Sequence, residues 1–107
     1  MDGTLDHAVL DEVIRRVVEV AKPEKIILFG SAARGRMGRH SDVDLLVVRS
    51  GVDALDLMGD IYLNLRGVGT AVDAIVVSAD DVERYRDSYG MVIHEAIRNG
   101  RVVYETR

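Results

Sequence analysis

Three short apolar runs, Lys25–Phe29, Asp42–Val48 and Thr70–Val77, alternate with stretches whose apolar residues recur at helical spacing. Runs this short and rich in Ile and Val read as strands. The stretches between them read as helices that must bury one stripe against a sheet. Leu10, Val13, Ile14, Val17, Val18 and Ala21 mark the first such stripe, which Pro23 stops. Ala54, Leu57, Met58, Ile61, Tyr62 and Leu65 mark the second, with Gly67 placed to cap it. Ser78 followed by Asp81 predicts a capping box opening a third helix. Val92, Ile93, Ala96 and Ile97 predict a last helix ended by Gly100, with a short closing strand over 101–105. The expected order is α-β-β-α-β-α-α-β, a small α/β (α+β) layer with helices covering a sheet. With 107 residues, no internal repeat and no linker, residues 1–107 are expected to form one domain.

Composition removes several classes of function. Hydrophobic residues make up 48% of the chain and charged residues 30%, a globular balance. The net charge of -4 provides no basic field to hold nucleic acid, so no stable nucleic-acid binding is expected. There is no cysteine, which excludes disulfides, thiolate metal sites and cysteine nucleophiles. Any metal must sit on Asp, Glu or His, and oxygen ligands suit hard cations such as magnesium. The polar start Met1–His7 has no signal-peptide character, and no apolar run has the length of a membrane span. The cytoplasm is the expected compartment.

The chemistry concentrates around the second strand. Asp42 and Asp44 are two apart, so on a strand they share one face, with backbone positions about 6.5–7 Å apart. Two carboxylates so placed repel unless a cation lies between them. Asp is also disfavoured in strands on its own account. Paired carboxylates holding one or two divalent ions are the apparatus of phosphoryl and nucleotidyl transfer. Asp73 is a third carboxylate in an apolar stretch. If its strand neighbours the second, it completes a cluster able to hold a metal and take the proton of an attacking hydroxyl. Upstream, the first strand runs into Gly30-Ser31, where glycine admits a phosphate close to the backbone and a turn into a helix offers free N–H groups. Arg34, Arg36 and Arg39 add positive charge to that loop.

Each piece has an ordinary reading. An Asp pair can be edge-strand charge, Gly-Ser a turn, the arginines a solvated loop face and Asp73 a strand-end residue. Order and spacing together are what is specific. Gly30-Ser31, ten residues, then Asp42-Val43-Asp44 resembles the signature of the DNA polymerase β-like nucleotidyltransferase superfamily. Within it the chain resembles the minimal nucleotidyltransferases. The resemblance runs from the leading helix through Ile27–Gly35, Ser41–Leu45 and Val72-Asp73 to Ile93–Ile97.

That resemblance implies a small mixed sheet of the polymerase β-like palm type. It implies two magnesium ions on Asp42 and Asp44, with the catalytic ion also on Asp73. Gly30 and Ser31 would hold the β- and γ-phosphates of a nucleoside triphosphate, with Arg34 beside them. It further implies ATP as donor and a helical HEPN-family toxin as partner, this chain serving as the antitoxin that moves AMP to a toxin hydroxyl. Two rival readings stay open: a non-catalytic nucleotide-binding antitoxin that neutralises by contact, and a transferase acting on a small molecule. A homo-oligomer is also left open, with Met91 and Val92 as apolar residues an interface would use. His7 reads as solvated, His40 as a loop residue and His94 as a helix-surface or partly buried histidine. Tyr85, Tyr89 and Tyr104 read as packing or interface residues, since no aromatic alternates with a basic stripe.

Overall fold

The computed structural model describes residues 7–30, 43–88 and 91–106. Its elements are α1 (His7–Ala21), β1 (Lys25–Phe29), β2 (Val43–Val48), α2 (Ala54–Asn64), β3 (Val72–Val77), α3 (Ala79–Tyr85), α4 (Val92–Asn99) and β4 (Arg101–Glu105). The four strands form one mixed sheet in the order β3-β2-β1-β4. β1 runs antiparallel to both β2 and β4, with a register shift between Ile26 and Ile27 on the β4 side. β2 and β3 run parallel, joined through α2, and a parallel pair needs a crossover of that kind.

Strand alternation divides the core between two faces. Ile26, Leu28, Val43, Leu45, Val47 and Val76 point to one side, where α1 supplies Leu10, Val13 and Val17 and α2 supplies Leu57 and Ile61. Ile27, Phe29 and Leu46 point to the other, against Ile93 and Ala96 of α4, with Tyr85 of α3 packed alongside. A two-residue side-chain period and a 3.6-residue helical period are thereby reconciled across a buried sheet. Arg16 and Asn64 lock α1 to the end of α2: Arg16 Nη1 donates to the Arg66 carbonyl at 2.9 Å and Asn64 Nδ2 to the Arg16 carbonyl at 2.9 Å.

Helix ends follow local chemistry. Asp53 caps α2 by accepting from the Asp56 N–H at 3.0 Å. Ser78 and Asp81 form the expected capping box on α3, with reciprocal bonds of 3.0 and 3.2 Å. The C-cap of α2 is Leu65 rather than Gly67, which lies two residues further on with φ +77°. Gly100 does cap α4, but at φ -85°, so left-handed freedom is not its role. A Cβ there would strike the Ala96 carbonyl of α4 first, then Ile27 Cγ2 at 2.7 Å and the Leu28 carbonyl oxygen at 2.9 Å, so glycine lets the chain turn tightly off the helix and press on β1.

Tyr62 departs from the sequence expectation. It was counted with the buried stripe of α2, yet its side chain is 73% exposed. The buried stripe is narrower, carried by Leu57, Ile61 and the C-cap Leu65.

Candidate active site

The end of the sheet where β1 finishes and β2 and β3 begin brings the candidate residues together. In the parallel β2–β3 pair, Asp44 is the direct partner of Asp73. Adjacent strands lie about 4.8 Å apart and partners in register point to the same face. The two carboxylates are therefore neighbours on the face that carries Leu46 and Ile75, the side covered by α4. Asp44 is half-buried and Asp73 exposed. This is the juxtaposition that sequence reasoning made conditional on β3 lying beside β2.

Gly30 closes the arrangement from β1. Phe29 pairs with Asp44, so the chain leaves β1 directly beside that carboxylate. Gly30 has φ +74°, and the space its Cβ would occupy is taken by Asp44: Oδ2 stands inside van der Waals contact and Cγ is 3.4 Å away. Glycine is required here twice over, for the left-handed backbone and for the approach of the carboxylate.

Among the described residues no three acidic or histidine side chains come together as a metal cluster. Two carboxylates do, and Asp42, two residues before Asp44, lies outside the described residues, as do Ser31, Arg34, Arg36, Arg39, His40 and Ser41. The donor set that is placed fits a hard divalent cation. It is all oxygen, drawn from adjacent strands on one face, with no sulfur or imidazole in it. His94, set aside from the sequence, is half-buried on α4 with Nδ1 2.8 Å from the Arg86 carbonyl oxygen. His7 begins α1 and is exposed. Tyr85 and Tyr104 pack against the two cores, as expected, while Tyr89 lies outside the described residues.

Sequence reasoning missed what flanks this site. Clefts of about 480 and 270 Å³ run between α2 and β3, lined by Tyr62, Leu65 and Val72, and the smaller one reaches Asp73. It also missed the polar network at the far end of the sheet. There Glu24 accepts from the Ser50 N–H at 2.7 Å, and Ser50 Oγ accepts from the Ala79 N–H at 3.0 Å. The exposed Tyr62 was the one signal for the clefts, disguised by its fit to a helical stripe.

A small mixed sheet with paired aspartates at one end, entered from a strand through a left-handed glycine, defines a nucleotidyltransferase-type fold. Residues 11–107 match the family model described as polymerase beta, nucleotidyltransferase, and the chain belongs to that family. No curated protein sequence matches it. Among solved structures it is similar to a chain of a toxin–antitoxin complex with AMP-PNP, at TM-score 0.65 and 18% identity, covering 96% of this chain and 76% of that one. It is similar to a chain of the MntA–HpeT toxin–antitoxin complex carrying two Asp-to-Glu substitutions two residues apart, at TM-score 0.64 and 15% identity, with the same coverage of 96% and 76%. It is also similar to a chain of the complex between tri-AMPylated Shewanella oneidensis HEPN toxin and MNT antitoxin, at TM-score 0.64 and 14% identity, covering 95% and 74%. At these identities the likeness establishes the fold.

Proposed function

We propose that this chain is a magnesium-dependent nucleotidyltransferase that moves AMP from ATP to a hydroxyl of a HEPN-family toxin, and so acts as its antitoxin. The observation that carries the reading is the register of Asp44 and Asp73 on one sheet face, with Gly30 pressed on Asp44, in a member of the polymerase β nucleotidyltransferase family. The toxin–antitoxin complexes among its structural neighbours, one with AMP-PNP and one with an AMPylated HEPN toxin, support the choice of donor and partner.

In this reading Asp42, Asp44 and Asp73 hold two magnesium ions, which supply charge stabilisation for the entering and leaving oxygens. Gly30 and Ser31 seat the β- and γ-phosphates, with Arg34 beside them. Asp73, the most accessible of the placed carboxylates, orients the acceptor hydroxyl and takes its proton. A bond forms between the acceptor oxygen and the α-phosphorus, and the bond from that phosphorus to pyrophosphate breaks. Residues 1–107 act as one domain, and the work is done in the cytoplasm. Among the described residues no helix is long and apolar enough to cross a membrane.

The test is intact-mass spectrometry of the HEPN-family protein encoded beside this chain, after incubation with the chain, ATP and magnesium. A gain of AMP units, absent with Asp42→Asn or Asp44→Asn in folded protein, is expected. An unmodified partner held in a stable complex would overturn transfer and leave neutralisation by contact. Modification by a folded Asp42→Asn/Asp44→Asn double variant would overturn the assigned carboxylates.

A further inference from the structure

The free edge of β3 lies one side chain away from the candidate carboxylates. Among the described residues β3 is an edge strand, paired only with β2. The Ala71 carbonyl accepts from the Val43 N–H at 2.9 Å and the Val77 carbonyl from the Arg49 N–H at 2.8 Å. Backbone groups alternate along a strand, so with this register Ala71, Asp73, Ile75 and Val77 turn toward β2. Val72 and Ala74, both half-buried, then turn their N–H and C=O groups outward, where an added strand can pair with them; Val76 turns the same way but is only 5% exposed.

We infer that the acceptor protein presents its hydroxyl on an extended segment that adds to the β3 edge. This rests on the nucleotidyltransferase reading. In such a pair, alternate side chains of the incoming segment fall on opposite faces. The residue opposite Asp73 falls on the carboxylate face. Because Asp73 turns its own backbone inward, this is a non-hydrogen-bonded position, where facing Cβ atoms come within about 4.5–5.5 Å. A hydroxyl-bearing side chain there meets the carboxylate proposed to take its proton. The residues on either side of it fall on the opposite face, into the clefts between α2 and β3 lined by Tyr62, Leu65 and Val72.

The surface beside this edge suits a polypeptide. Tyr62 is 73% exposed and Leu63 64% exposed at the end of α2 that faces the start of β3, an apolar platform that the fold itself does not use. Charge selects the occupant. Asp56 and Asp60 are exposed on α2 and Asp53 at its N-cap, and the helix contains no basic residue; the exposed Arg66 two residues beyond it is the basic side chain lining the larger cleft. The fitting partner is therefore an apolar segment flanked by Lys or Arg. A second copy of this chain would instead bring another Asp73 and another acidic helix against the first.

The test is amide hydrogen exchange by NMR on the chain alone and saturated with the HEPN-family protein encoded beside it. The Val72 and Ala74 amides are expected to slow by about tenfold or more in the complex, as amides newly held in a strand ladder do. Unchanged exchange at both in a saturated complex would overturn the inference, even with AMP transfer intact. Slowing that appears with rising concentration of the chain alone would also overturn it, assigning the edge to self-association. If the amides slow but no AMP is transferred, the docking inference stands and the catalytic reading fails. Two variants add a functional readout. Ala74→Pro removes an outward donor, at a position where an edge strand tolerates proline. Tyr62→Ser removes the exposed ring. Each is expected to lower transfer about tenfold while AMP-PNP affinity stays unchanged, the scale of roughly one to two lost hydrogen bonds or apolar contacts. Full transfer by folded Ala74→Pro would overturn the proposed pairing.

Discussion

Gly30→Ala should cost more than its backbone angle alone accounts for. Gly30 and Gly51 have nearly the same left-handed backbone, φ +74° and +78°. A residue with a Cβ carries about 1–2 kcal/mol of strain in that region. Nothing lies within 4 Å of a Cβ at Gly51, so Gly51→Ala should report that strain by itself. At Gly30 the new methyl must displace the Asp44 carboxylate. Forcing an extra carbon into a packed position adds about 1–3 kcal/mol. The expectation is therefore about 2–5 kcal/mol for Gly30→Ala against about 1–2 for Gly51→Ala. For a chain of this size each kcal/mol moves the melting temperature by about 4–8 °C, so urea titration or calorimetry separates the two. A third variant locates the excess. In Gly30→Ala/Asp44→Ala the carboxylate that the methyl strikes is gone, and the pair should fall short of the sum of the singles by about 0.5–3 kcal/mol. Equal costs at Gly30 and Gly51, or strict additivity with Asp44→Ala, would refute the reasoning.

Ser78→Ala removes one half of the α3 capping box and should destabilise by about 1 kcal/mol, read by denaturant titration; a neutral result would mean that packing alone holds the start of α3. Gly100→Ala keeps an allowed backbone angle but drives a methyl onto the Ala96 and Leu28 carbonyls and Ile27, for an expected loss of about 1–3 kcal/mol or more. Glu12 accepts hydrogen bonds from Arg15 first and Arg16 second, which lower its carboxyl from 4.5 to about 2. A depressed carboxyl stabilises the folded state above its unfolded value, and that stability is lost as pH falls through its folded value. The melting-temperature gap between wild type and Glu12→Gln should therefore be flat above pH ~5 and close toward pH ~2. The gap should be small, because the group is exposed. A gap that keeps its size down to pH ~2 would contradict this.

Most of the element order was legible because its signals are local. The five residues of β1 and of β4 lie where the sequence put them, and so does the capping box at Ser78 and Asp81. Helix spacing found α1 and α2 for the same reason: burial of a stripe is written into neighbouring turns. Two things were not legible. One was the parallel register that sets Asp44 opposite Asp73, a pairing between residues 29 apart in sequence that only the crossover through α2 fixes. The other was which members of an apolar helical stripe reach the core. Tyr62 fits the spacing as well as Ile61 does, yet it is 73% exposed where Ile61 is 1%. Glycines carried the converse ambiguity. Gly30, Gly67 and Gly100 all stand where an element ends, yet only the structure separates a left-handed turn from a close approach of chains.

The two ends of the sheet are built to different rules. At the end where β2 and β3 finish, polar groups are absorbed internally: Glu24 holds Ser50, Ser50 holds the first N–H of α3, and Arg49 Nε donates to the Ala21 carbonyl at 3.0 Å. Such a network ties β1, β2, α1 and α3 together around a cleft of about 410 Å³ lined by Glu24, Lys25, Val48, Ala79 and Val82. At the opposite end the sheet sets two carboxylates side by side, and Tyr62 and Leu63 beside them are largely exposed. Like charges in register and exposed apolar side chains both work against the isolated fold. Exposed apolar side chains also occur at the other end, where Leu55 is 77% exposed at the start of α2, so the paired carboxylates are what sets this end apart. The violations also differ in kind: adjacent carboxylates are relieved by cations, while an exposed aromatic and an open strand edge are relieved by polypeptide. In the proposed reading, one end of one small sheet receives a metal-bound nucleotide and a protein acceptor together.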